Sequence, residues 1–205
     1  MALRSLLPLL ADDPQAMRLA AEGGSAFVSA SMRPYLLAAL VDGLGGDAGA
    51  ELRPAVIVAS DDRQARELAA DLEAWLSPRP VGLYPSRGVA YESHLAPPPH
   101  LVGLRIAALD ALLGSGECAP VVVVSAPALA ERVPDPELRP ASLRVAVGDL
   151  LDTDEFAAEL VDAGYERVEQ VEDRGQFAIR GGIVDLYPAT ADNAVRIDLF
   201  DIEVE

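Results

Sequence analysis

Arg174-Gly175-Gln176-Phe177-Ala178-Ile179-Arg180-Gly181-Gly182-Ile183-Val184-Asp185-Leu186-Tyr187-Pro188, followed closely by Val195-Arg196-Ile197-Asp198-Leu199-Phe200, decides how the C-terminal third folds. Two short apolar runs flank the glycine pair, the second stops at a proline, and after a polar turn a third run alternates apolar and polar residues. Strand-like runs joined by two glycines read as a hairpin. Successive strand side chains alternate faces, so Arg196 and Asp198 lie opposite Ile197, and Phe200 returns to the Arg196 face. Arg180 precedes Gly181-Gly182, where the backbone can turn or bulge and project the side chain. Arg180, Arg196 and Phe200 are therefore the candidate binding residues. Two guanidinium groups and an aromatic anchor have the composition of a protein-binding hot spot. The competing reading is a solvated sheet face with an ordinary edge aromatic.

Working outward, Leu151-Asp152-Thr153-Asp154 opens a helix to Ala163, ended by Gly164. Residues 142–147 alternate like a half-buried strand. Residues 136–205 thus read as a small α+β module with an antiparallel sheet, and Pro134-Asp135-Pro136 marks its boundary with residues 1–135. The first segment alternates strand and helix signals. Strands are expected at 26–30, 55–59, 81–84 and 121–124. Helices are expected at 1–10, 35–41, 61–76, 101–113 and 126–132. Strands alternating with helices imply right-handed crossovers and a parallel sheet, so the first domain is α/β, with the look of a P-loop helicase lobe.

That look fails at the phosphate loop. A working loop needs glycines that let backbone N–H groups approach phosphate, and a lysine for the terminal phosphates. After Ala30 the chain reads Ser31-Met32-Arg33-Pro34-Tyr35, without glycine, and Pro34 removes a donor. All 16 basic residues are arginine and no lysine occurs. Arg33 could touch an anion, but a planar guanidinium does not replace a compact ammonium. The loop is degenerate, and no nucleotide cofactor is expected.

Composition excludes more. With 33 acidic residues the net charge is −17, which opposes binding to phosphate backbones. Residues 1–135 hold ten arginines against sixteen acidic residues, and 136–205 hold six against seventeen. A single cysteine, Cys118, suits a reducing cytosol and, with His94 and His100 alone for company, gives no zinc spacing. The histidines sit in a proline-rich loop without a nucleophile elbow. Asp61-Asp62 and Asp152/Asp154 lie at helix starts, where capping explains them better than metal. No catalytic residue, metal site or membrane span is expected, and the chain reads as a cytoplasmic non-enzyme.

The segment 163–205 resembles the UvrA-contacting module shared by the excision-repair helicase UvrB and the transcription-repair coupling factor. Weaker likeness runs through Ala55 to Ser60, Tyr84-Pro85 to Tyr91-Glu92, Val102-Gly103-Leu104-Arg105 and Val121 to Pro127. The resemblance to the coupling-factor family implies a UvrB-like, nucleotide-free lobe carrying a UvrA-binding domain. It carries the family's contacting arginine before the glycine onto Arg180, and its contacting arginine and phenylalanine in the next strand onto Arg196 and Phe200. UvrB itself would require an intact P-loop and a long tyrosine-rich hairpin after the third strand; here 86–99 is short, with Tyr91 alone. The family's RNA-polymerase-binding domain and ATP-driven translocase lie downstream of this region, so the chain reads as a truncated part of a longer protein. Two functions follow as expectations: an adaptor recruiting UvrA to stalled transcription, with RNA polymerase engaged only through the missing domains, or a fragment of a UvrB-type helicase that binds ATP and DNA.

Overall fold

The structure is a computed structural model that describes residues 3–44, 52–90, 94–114, 119–133, 135, 143–191 and 193–205. The chain divides into two compact units, Met1–Tyr91 with Leu104–Glu131, and Glu92–Gly103 with Arg132–Glu205.

In the first unit, a 3₁₀ segment Leu3–Asp12 leads to α1 (Pro14–Glu22), then α2 (Arg33–Val41), β1 (Ala55–Ala59), α3 (Asp62–Leu76), β2 (Val81–Tyr84), α4 (Pro99–Leu113, of which 104–113 belong here), β3 (Val121–Ser125) and α5 (Ala126–Leu129). The sheet is parallel in the order β1-β3-β2. β3 is central, and all five of its residues are buried. That is why its sequence is continuously apolar rather than alternating. On one face Val121 and Val123 join Ala65, Leu72 and Leu76 of α3 with Ala38 and Ala39 of α2. On the other, Val122 and Val124 meet Ala108 of α4 and Ala128 of α5. Asp61 caps α3, its carboxylate accepting from the Gln64 N–H at 2.8 Å. Buried Arg79 donates to the Ala119 carbonyl at 2.8 Å, to the Arg53 carbonyl at 2.7 Å and to the Val41 carbonyl, tying three chain segments around one cation.

Several expectations fail here. Residues 26–30 form no strand: Gly23 and Gly24 take positive φ before them, Phe27 is fully exposed, and a 3₁₀ turn, Ala30–Met32, follows. An apolar run becomes a strand only beside a partner, and the described sheet offers it none. The first helix is a 3₁₀ segment, with α1 unforeseen after it. Its signal was Asp13-Pro14, a cap whose carboxylate takes the Gln15 and Ala16 N–H groups, with proline at the first position. α5 ends at Leu129 rather than 132, and His100 lies in α4, not in the loop before it. Cys118 lies outside the described residues.

The second unit carries α6 (Thr153–Asp162), β4 (Glu166–Arg167), β5 (Gln176–Arg180), β6 (Ile183–Tyr187), β7 (Val195–Phe200) and β8 (Glu203–Val204), with strands in sequential order. Asp152 caps α6, and Gly164 after it has φ 92°. Phe156, Ala157 and Leu160 of α6 pack on Phe177, Val184, Ile197 and Val204. The sheet is mixed, not antiparallel throughout: β4 runs parallel to β5, and the other pairs are antiparallel. Residues 143–147 are not a strand. The chain turns at Gly148 (φ 89°), and 148–151 bond β8 instead, through Gly148 N–H to Val204 carbonyl at 2.8 Å and Leu151 N–H to Ile202 carbonyl at 2.7 Å. Val145 and Leu151 still reach the core, which accounts for the alternation.

Candidate docking face and comparison with known proteins

The candidate docking face is the side of the second sheet away from α6. Alternation sends Phe177 and Ile179, Val184 and Leu186, and Ile197 and Leu199 to the core, so Ala178 and Arg180, Ile183 and Asp185, and Arg196, Asp198 and Phe200 point the other way. The register places Ala178, Asp185 and Arg196 in one cross-strand row and Arg180, Ile183 and Asp198 in the next. Gly181-Gly182 closes the β5–β6 hairpin with two residues. Gly181 has φ 60°, as the first central position of such a turn requires. At Gly182 any Cβ would come within 2.8 Å of the Leu199 carbonyl oxygen, so only glycine lets β7 lie this close.

Across the face runs one ion-pair cluster. Arg196 grips Asp185 with two prongs, Nε to Oδ1 at 2.6 Å and Nη2 to Oδ2 at 2.9 Å, and Arg180 donates its Nη2 to the same Oδ2 at 2.9 Å. The arginine side chains are 60% and 58% exposed while that of Asp185 is 16% exposed, so the acid lies beneath two outward-facing cations. The Arg196 bonds hold the Asp185 carboxyl below its ordinary value against the opposing effect of burial, with Arg180 adding to them. Beside the cluster, Gln170, Val171, Ala194 and Val195 complete the wall of a cleft of about 550 Å³. Phe200 is 73% exposed, on the same face and four residues along β7 from Arg196. The structure thus joins Arg180 and Arg196 through Asp185 and sets Phe200 apart on their face. Sequence reasoning missed Asp185, which becomes conspicuous only once β6 is registered between β5 and β7.

Near the C-terminal ends of the parallel strands, where α/β folds place ligands, several side chains are tied to one another. Asp62 accepts the Ser86 N–H at 2.8 Å and its hydroxyl at 2.5 Å. Arg105 donates to the Pro85 carbonyl, to Glu131 and to the Tyr84 hydroxyl, each at 2.7 Å, and stacks 4.2 Å from the Tyr84 ring. Among the described residues no group of His, Cys, Asp and Glu could hold a metal, and no helix is long and apolar enough to cross a membrane.

Residues 143–205 match the UvrB interaction domain. The whole docking face lies inside this UvrB interaction domain. The transcription-repair-coupling factor of Bacillus subtilis (strain 168) is 36% identical over 154 residues, covering 75% of this chain and 13% of its own length. That of Myxococcus xanthus is 36% identical over 165 residues, covering 77% and 14%. The UvrABC system protein B of Dechloromonas aromatica (strain RCB) is 30% identical over 221 residues, covering 97% of this chain and 31% of its own length. The chain is homologous to both groups and spans less than a third of these relatives.

Proposed function

We propose that the chain is a non-catalytic adaptor of transcription-coupled nucleotide excision repair in the cytoplasm. In this reading residues 136–205 dock on UvrA through Arg180, Arg196 and Phe200, and residues 1–135 form a helicase-like lobe with a degenerate P-loop. Recruitment to stalled RNA polymerase and DNA translocation then belong to the rest of a longer coupling factor. The observation that carries the reading is the exposed arginine pair on the coreless face of a UvrB interaction domain. Guanidinium groups give charge-assisted, forked hydrogen bonds to carboxylates, and Phe200 adds desolvated area. Replacing either arginine with alanine is expected to weaken UvrA binding by about 1–4 kcal/mol without unfolding the domain. Titration of UvrA against the Arg180/Arg196/Phe200 triple-alanine variant checks this; undiminished binding by a folded variant refutes it.

The second reading, a UvrB-type helicase fragment, draws on the 97% coverage by UvrABC system protein B. Against it stand the absence of lysine and the start of α2, where Arg33 and Pro34 stand in place of a glycine nest. Calorimetry with Mg-ATP is expected to show no binding, and micromolar affinity would reverse the preference.

A further inference from the structure

We propose that Asp185 is the positioning residue of the docking face, fixing Arg180 and Arg196 as one preformed fork for carboxylates of the partner. The inference rests on the UvrA-docking reading of that face. Asp185 sits on the middle strand of three, and its carboxylate is reached from both flanking strands: directly across by Arg196 and diagonally by Arg180. It is the shielded member of the cluster, and the guanidinium groups are the exposed ones. An arginine held in this way has already lost much of the side-chain freedom that docking would otherwise remove. Two guanidiniums carry ten N–H donors, and only three of them are spent on Asp185. Among the described residues no other acceptor takes the rest, which leaves them for acceptors on a partner.

Long-range attraction does not explain the arrangement. Asp198 lies in the neighbouring row and also acts on Arg196, and exposed Glu203 stands opposite Phe200, so the aspartates already offset the two arginines and the face has no net positive charge. Recognition must then come from where the donors are held. This gives the two possible roles of Asp185 opposite signs. If Asp185 only neutralises the arginines, removing its charge strengthens attraction to an acidic partner. If it positions them, removing it weakens binding even though the face becomes more cationic.

The experiment titrates UvrA against the full chain and its Asp185→Asn variant, with thermal melting as the check on folding. The expected result is at least tenfold weaker binding by a variant that still melts cooperatively; equal or tighter binding overturns the proposal. Asp185→Glu keeps the charge but displaces the carboxylate by one methylene, so it should also bind more weakly. Binding at the native level by Asp185→Glu overturns the proposal even if the asparagine variant fails to fold. Arg180→Ala and Arg196→Ala test the docking reading separately. If both bind UvrA as well as the native chain, that reading fails, and Asp185 is judged by NMR of the arginine Nε–H groups. A held Arg196 gives a slowly exchanging Nε–H signal that is lost in Asp185→Asn, whereas a native signal exchanging like that of a free arginine overturns the proposal.

Discussion

At the scale of single residues, charge and hydrogen bonding at Asp185 make a pH prediction with a definite sign. Its carboxyl lies below the ordinary aspartate value because Arg196, and after it Arg180, bond the ionised form. A carboxyl with a depressed folded value stabilises the fold above the unfolded value, and that contribution disappears as pH falls through the folded one. The ion-pair cluster should therefore be intact throughout the neutral range and come apart only in acid. Titration of the Asp185 carboxyl by NMR is expected to give a midpoint below that of an unperturbed aspartate, and an ordinary midpoint would contradict the geometry. At this scale the sequence was half legible. Alternation alone places Arg196 and Phe200 on one face, because the period of a strand is two. The link through Asp185 was hidden, because it depends on which residue of β6 faces which residue of β7.

At the scale of elements, the two faces of β6 respond differently to the same truncation. Leu186 packs against the core, while Ile183 is 37% exposed on the docking face. Leu186→Ala is expected to cost about 2 kcal/mol, the low end for a large-to-small core change because the side chain is only partly buried. Ile183→Ala should cost less than about 1 kcal/mol. Urea unfolding of the two variants separates them, and a larger loss for Ile183→Ala than for Leu186→Ala would mean that the strand faces the other way. Elements were legible where the local chemistry is self-sufficient. The start of α3 follows from the Asp61 cap, and β3 from four consecutive valines. They were illegible where tertiary bonding decides. The 26–30 run lacks a described strand neighbour, the two residues of β4 are too few to show a direction, and 143–147 has strand periodicity but places its bonds further on.

At the scale of the whole molecule, a charge of −17 without a single lysine leaves arginine as the only side chain that can present a permanent positive fork. Arg4 and Arg79 share Asp42, and Arg87 and Arg105 share Glu131, but none of those arginine side chains is more than 37% exposed, whereas both arginines on Asp185 are more than half exposed. In the first unit the edge strand β1 leaves Val56 and Val58 more than half exposed on the side where Val122 and Val124 meet α4. In the second unit the same three strands supply both the core and the docking face, one residue apart, and this ties the chemistry of one side to the motions of the other. The inner amides at Phe177, Val184 and Ile197 exchange with solvent only when the strands open, and opening also scatters the outer arginines. A partner that binds only the closed sheet lowers the population of open forms by mass action. Hydrogen–deuterium exchange should therefore slow at those three buried amides when UvrA is added, although the partner touches none of them. Protection confined to the outer loops would show that docking leaves the sheet's opening unchanged.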